Sequence, residues 1–217
     1  MFSPYLGKEY SMEEIKTAFS NYEEKIHVEL CNNVFSKAAK SLADGKIVGW
    51  FQGRSECGPR ALGNRSILAD PRDPGMKDHL NAKVKFREVF RPFAPSVLWE
   101  NQQEYFDLEI PSPYMLMVSD ILEEKRHLIP SVTHVDGTGR LQTVMKELNP
   151  TFYKLIEKFN EITGVPIVLN TSFNIRGEPI VETPDDAIRC FLGTGIDELY
   201  ISNFFVQKLV DTDVENE

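Results

Sequence analysis

Four polar segments of the chain carry residue types suited to holding phosphate and small amides. The first is Gly53-Arg-Ser-Glu-Cys-Gly-Pro-Arg-Ala-Leu-Gly-Asn-Arg-Ser66, where three glycines and one proline predict a structured loop rather than a helix. Glycines let backbone amides approach an anion closely, and the guanidinium forks of Arg60 and Arg65 match phosphate oxygens. Interleaved Arg and Gly favour an anion site over a surface turn with solvated arginines. The second is Lys83-Val-Lys-Phe-Arg-Glu-Val-Phe-Arg-Pro-Phe-Ala-Pro95. Its cations repel one another on a bare surface, and an anion relieves that repulsion. In an extended segment Lys85, Arg87 and Arg91 share one face, because residues two apart point the same way. Phe86, Phe90 and Phe93 can bury beside them, and Glu88 is the local counter-charge. A basic edge strand kept soluble by lysines is the competing reading.

The third segment is His134-Val-Asp-Gly-Thr-Gly-Arg-Leu-Gln142. Asp136-Gly137 predicts a turn with Arg140 projecting after it. Asp136 has the chemistry to hold Mg²⁺ or to orient an arginine, although a hairpin turn with a satisfied His134 accounts for the pattern better. The fourth is Leu169-Asn-Thr-Ser-Phe-Asn174, which follows an apolar run and so places amides and hydroxyls at the end of a buried strand. Asn170, Thr171, Ser172 and Asn174 are the candidates there, against an ordinary Asx or Ser turn.

Charge distribution fits a polyanion site and a solvated charged loop equally. The whole chain carries a net charge of -9, yet residues 54–91 hold nine Lys/Arg against five Asp/Glu. A basic island in an acidic chain suits a small polyanion better than a nucleic acid, whose backbone needs a broadly basic surface.

These loops need elements to position them. Ser11-Met-Glu-Glu14 is a capping box that starts a short helix ending near Ser20. Residues 32–43 read as an amphipathic helix with Val34, Ala38, Ala39 and Leu42 on one face, ended by Gly45. A buried strand over residues 47–51 then delivers the chain to the Gly-rich loop. Pro74 predicts a helix reaching about Val84, and strands are expected at 94–98, 114–118 and, more weakly, 141–144. Phe152, Leu155, Ile156, Phe159 and Ile162 define a helix over 150–163 stopped by Gly164. Residues 165–169 are the strongest strand. Thr183 and Pro184 begin a helix to Leu192, and strands at 199–202 and 204–207 close the chain. Alternating helices and strands give an α/β (α+β) class with a twisted mixed parallel/antiparallel sheet flanked by helices. A length of 217 residues fits one domain over 1–210, followed by an acidic tail at 211–217 expected to fray.

Several function classes are disfavoured. Three cysteines, far apart and odd in number, argue against a disulfide framework or a metal knuckle, and the four histidines lack metal-ligand spacing. Neither a signal-like h-region nor a run of membrane-spanning length is visible, so a cytoplasmic protein without membrane contact is expected.

In order, the motifs GPRALGNRSILADPR, FRPFAPSVL, HVDGTGRLQTV and LNTSFNIRGEPIV resemble those of the C-terminal, YrdC-like domain of O-carbamoyltransferases that decorate nodulation factors and antibiotics. The similarity runs from about Ser3 to about Lys208. It implies a domain that binds ATP and carbamoyl phosphate and forms carbamoyl adenylate, with Mg²⁺ accompanying the nucleotide. It also implies a partner: a metal-bearing domain or chain with an actin/hexokinase-like fold, absent here, that passes the carbamoyl group to an acceptor hydroxyl. Residue by residue, it places Arg60, Lys85, Arg91, Arg140, Asn170 and Ser172 at phosphate- and carbamoyl-binding positions. Lys85, Arg91 and Ser172 are then the candidates nearest the chemistry. Arg60, Arg65, Arg87, His134, Arg140, Asn170, Thr171 and Asn174 are candidates for binding, with Asp136 for the metal. Rival readings are a non-catalytic nucleotide- or carbamoyl-phosphate-binding module and an RNA-binding YrdC-like protein.

Overall fold

The computed structural model describes residues 2–86, 88 and 91–209. Arg87 and Phe90 lie outside the described residues, as does the acidic stretch 211–217. The capping box forms as expected: Ser11 Oγ accepts from the Glu14 amide at 3.2 Å while Glu14 accepts from the Ser11 amide at 2.8 Å. It starts α1 (Met12–Ser20). β1 (Ile26–Leu30) follows, then α2 (Val34–Ala43), capped by Asn33, with Gly45 just beyond at φ 81°. β2 (Val48–Phe51) and β3 (Arg65–Ala69) flank the Gly-rich loop. The chain continues through α3 (Met76–Leu80), β4 (Ala94–Leu98), α4 (Gln102–Tyr105), β5 (Ser119–Asp120), β6 (Thr138–Gly139) and β7 (Gln142–Val144). It ends with α5 (Pro150–Thr163), β8 (Ile167–Ser172), α6 (Pro184–Leu192), β9 (Glu198–Ile201) and β10 (Phe204–Lys208).

Eight strands form one mixed sheet in the order β1-β10-β9-β2-β3-β8-β4-β7, with β5 and β6 paired separately. β2 runs parallel to β9 and β4 parallel to β7; the other neighbours are antiparallel. Helices cover both faces. On one, α2 packs with α5, and Phe35 meets Trp50, which meets Tyr200. On the other, α1 packs with α6, and Phe19 sits edge-on to Phe204. Double coverage explains why β2, β3 and β4 are buried at every position and read as continuous runs without alternation.

Three expectations need correction. The helix expected from Pro74 begins at Met76, because Asp73 Oδ1 first takes the Gly75 amide at 2.8 Å in a turn. It then widens into a π-turn over Asn81–Lys85 and stops where Phe86 adopts φ 47°. Lys85 is therefore not on an extended segment, and the shared face expected for Lys85, Arg87 and Arg91 is not built through it. Phe86 is exposed and Phe93 buried. No strand forms over 114–118: Met115 sits at φ 55°, and pairing begins only at Ser119. Finally, β8 does not end at Leu169 but carries Asn170, Thr171 and Ser172 as ladder residues opposite Leu68, Ile67 and Ser66.

Candidate functional site

At the carboxyl end of β8 the expected segments converge on one cleft. Its inner part, about 110 Å³, is lined by Arg60, Phe93, Arg140, Asn170, Thr171 and Ser172, among others. It shares Arg60, Phe93 and Arg140 with an outer part of about 330 Å³ that adds Arg91 and His134. Arg60 comes from the loop between β2 and β3, Arg91 from the approach to β4, and Arg140 from just after β6. None of the described lining residues is acidic, so they concentrate positive charge in a partly desolvated space. A larger cavity of about 590 Å³ lies along Glu178, Glu182, Asp186 and Arg189. Its carboxylates repel a polyanion, so size does not identify the anion site.

Within the cleft, Nε of Arg140 and Oδ1 of Asn170 are buried and have no hydrogen-bond partner among the described residues. Such atoms are uncommon in folded proteins, and here both belong to residues that line the cleft. Burial, and then the neighbouring Arg60 charge, lower the Arg140 pKa from the ordinary arginine value. Asn170 is held firmly: its Nδ2 donates to Ser96 Oγ at 3.1 Å, Gln142 Oε1 at 3.0 Å and the Ala61 carbonyl at 3.3 Å. Ser96 in turn donates to Gln142 Oε1 at 2.7 Å, and Gln142 Nε2 donates to the Leu62 carbonyl at 2.8 Å. This network fixes the floor of the cleft and ties the Gly-rich loop to β4, β7 and β8.

Arg91 is more than half exposed and pairs with Glu88 at 3.4 Å, a loose surface contact of small energetic weight. Lys85 sits behind the cleft rather than in it. Lys85 is almost fully buried as a residue, and its Nζ donates to the Ser172 carbonyl at 2.5 Å, the Asn174 carbonyl at 3.0 Å and Asn174 Oδ1 at 2.9 Å. Ser172 Oγ, which lines the cleft, donates to Asn174 Oδ1 at 2.8 Å and lies 3.4 Å from the same ammonium. Lys85 thus reaches the cleft through Ser172. Asn174 itself faces a different cavity, lined also by Ser55, Glu56 and Glu182.

Arg65 departs from its expected role. It is fully buried in β3, and its guanidinium donates to the carbonyls of Gln52 at 2.6 Å, Asn64 at 3.0 Å, Gly53 at 3.1 Å and Lys8 at 3.4 Å. It also stacks 3.6 Å over the Phe51 ring. A cation committed to four carbonyls braces the root of the loop and does not present its fork to the arginine cleft.

Asp136 does not fit a metal held by the protein. Its carboxylate accepts from the Thr138 amide at 3.1 Å and from Thr138 Oγ1 at 2.7 Å, closing its own exposed turn. Among the described residues no group of three or more His, Cys, Asp or Glu could hold a metal ion. His134 completes the same turn, its amide donating to the Thr138 carbonyl at 2.8 Å, while its ring lines the outer cleft.

Burial lowers the His134 pKa below the ordinary value, the Arg140 and Lys77 charges push the same way, and Asp136 opposes them. The folded chain therefore binds this proton less readily than the unfolded chain. The resulting stability penalty is absent at alkaline pH and grows as pH falls through about 6.5. An anion between Arg60 and Arg140 reverses the local field. Adding pyrophosphate is expected to raise the His134 pKa in an NMR titration of the imidazole protons; an unmoved pKa would place the anion elsewhere.

Residue types alone did not single out Glu56, Ser96 or Gln142. Ser96 and Gln142 carry a weak signal as polar side chains in otherwise apolar strands. Glu56 carries none, being one acid in a basic loop.

The chain is an α/β domain of the YrdC-like fold. It superposes on full-length HypF, solved in a phosphate- and nucleotide-bound form, with a TM-score of 0.53 and 18% identity over 84% of this chain and 22% of that one. HypF of T. kodakarensis gives a TM-score of 0.51 and 16% identity over 85% of this chain and 22% of that one. The model of the Carbamoyltransferase C-terminus family matches residues 39–208, and the chain belongs to that family. It is 49% identical to nodulation protein NolNO of Sinorhizobium fredii over 95% of this chain, and 46% identical to NolO of Bradyrhizobium diazoefficiens over 95%. An uncharacterized Synechocystis protein is 45% identical over 96%. The chain spans 30%, 38% and 37% of these three relatives, respectively. No helix of the described residues is long and apolar enough to cross a membrane.

Proposed function

We propose that the cleft binds ATP and carbamoyl phosphate and forms carbamoyl adenylate. Carbamoyl phosphate first loses its phosphate to water. A carbamate oxygen then attacks the α-phosphorus of ATP, the bond from that phosphorus to the bridging oxygen breaks, and pyrophosphate leaves. The observation that carries this reading is the meeting of Arg60, Arg91 and Arg140 in a cleft with no acid among its described lining residues, beside Arg140 Nε and Asn170 Oδ1, which have no partner among the described residues. Two polyanions side by side need fixed cations to offset their repulsion, and preorganised cations stabilise charge that develops on phosphate oxygens. Asn170 Oδ1 is an acceptor suited to the carbamoyl NH₂. Ser172 offers a hydroxyl at the same wall, with Lys85 as a point charge one hydrogen bond behind it. Mg²⁺ enters only as the counter-ion of ATP.

Transfer to an acceptor hydroxyl belongs, in this reading, to a separate domain or chain corresponding to the remaining length of the relatives. A cytoplasmic setting, where ATP and carbamoyl phosphate occur, is part of the same proposal. The test is ATP–pyrophosphate exchange by the 217-residue chain with Mg²⁺. Exchange should require carbamoyl phosphate and fall at least tenfold in Lys85→Ala. Binding of ATP with no exchange would instead favour a passive binding module, and binding of an RNA hairpin in place of ATP would overturn the reading.

A further inference from the structure

Arg60 is exposed, and no described residue hydrogen-bonds its guanidinium, so its position depends on the backbone of its loop. That backbone is organised from two sides. On the carbonyl side, Ala61 accepts from Asn170 at 3.3 Å, and Leu62 accepts from Gln142 at 2.8 Å and from the Tyr5 hydroxyl at 2.9 Å. On the amide side, Gly63 donates to Ser66 Oγ at 3.1 Å, and Glu56 holds three further amides. Oε1 of Glu56 accepts from the amides of Leu62 at 2.7 Å, Asn64 at 2.7 Å and Arg65 at 3.3 Å. One carboxylate oxygen therefore closes the loop from residue 56 to residue 65 into a ring, and Arg60 sits on the free arc of that ring. Asn64 extends the hold, its Nδ2 donating to the Arg54 carbonyl at 2.7 Å and its Oδ1 accepting from Asn149 at 2.8 Å.

From this geometry we infer that Glu56 is a positioning residue, which sets where Arg60 meets the phosphates while touching no substrate itself. The inference rests on the cleft reading above. Burial raises the Glu56 pKa, while the amides of Asn64 and Leu62 and the Arg65 charge pull it back down, and the ionised carboxylate that they favour accepts stronger hydrogen bonds than a neutral amide oxygen does. Glutamine keeps an oxygen for the same amides but holds them more weakly, so the loop closes while Arg60 samples a wider range. Because Glu56 acts only through Arg60, its removal costs little once Arg60 is gone.

The decisive measurement is a double-mutant cycle on the 217-residue chain, with ATP affinity read by calorimetry and melting temperature read in parallel. Glu56→Gln is expected to weaken ATP binding at least fivefold with a melting temperature close to that of the parent. In an Arg60→Ala background, the same change should cost less than twofold. Equal losses in both backgrounds, or no loss in either, would overturn the inference while leaving the cleft reading intact. Loss of the fold in Glu56→Gln would also overturn it, since the residue would then serve stability alone. Parent protein that fails to bind ATP would bring down the cleft reading itself, an outcome visible before any variant is made.

Discussion

Arg140→Ala is expected to reduce carbamoyl-phosphate-dependent exchange by roughly 100-fold, or about 2.7 kcal/mol of transition-state stabilisation. The size follows from where the side chain stands. Its Nε is buried without a partner among the described residues, and burial together with the Arg60 charge opposes its ionised form. A bound polyanion relieves both penalties at once, so the guanidinium interacts far more strongly with ligand than a solvated arginine does. The same logic predicts the effect on the unliganded protein. Deleting a half-buried cation beside another cation removes repulsion, so the melting temperature of Arg140→Ala should hold or rise. Arg140→Lys keeps the charge but loses the planar fork, and an intermediate loss near tenfold is expected. A variant that exchanges normally, or one that loses activity only by unfolding, would remove Arg140 from the site.

The second large effect concerns shape. Gly63 has φ 105°, a conformation that strains any residue with a Cβ, and a Cβ there would lie 2.1 Å from Phe152 Cδ1. Phe152 is wholly buried in α5, with its amide donating to Asn149 Oδ1 at 2.9 Å, so it has little room to yield. Gly63→Ala thus combines backbone strain with overpacking and is expected to destabilise the chain by roughly 3 kcal/mol. For a domain of this size that corresponds to a melting temperature lower by about 6–12 °C. Phe152→Ala creates a cavity and is destabilising alone, yet in combination it removes the clash. The pair should therefore lose less than the sum of the single losses. Strict additivity, measured by thermal or denaturant unfolding, would show that the contact is not the cause. Because Arg60 and the Ala61 and Leu62 carbonyls share this loop, ATP affinity should fall in Gly63→Ala even well below its melting temperature.

Local chemistry made much of this architecture readable. The Ser11 and Thr183 caps and the Pro150–Thr163 helix with its Gly164 stop are short-range signals, and each became the expected element, with Ile162 alone of the helix's expected apolar face exposed. The apolar run before Asn170 became β8, shifted to end at Ser172. β1 was not legible, because its burial is confined largely to Ile26 and its other residues face partly outward. β3 was hidden in the loop motif, since Arg65 and Ser66 look like loop residues until a partner strand on each side buries them. The strand expected at 114–118 does not form, because Met115 turns the backbone to φ 55° and pairing begins only at Ser119.

The candidate site divides along the same line. By itself the sequence determined which segments carry the cations and amides, because Arg60, Arg91, Arg140, Asn170 and Ser172 sit in motifs whose residue types already imply anion and amide binding. It also determined the family, through four motifs in a fixed order. Only the tertiary structure decided which of those groups line one cleft. Arg60 and Arg65 stand five positions apart in one motif, yet one is exposed at the cleft and the other is sealed among backbone carbonyls. Lys85 and Arg91 were expected on one face of an extended segment, yet a π-turn and a left-handed Phe86 send the lysine behind Ser172. A side chain's role depends on which long-range partners reach it. Those partners, from Gln52 and Ser172 to the Glu56 ring, are set by sheet register and loop closure, which residue type alone does not encode.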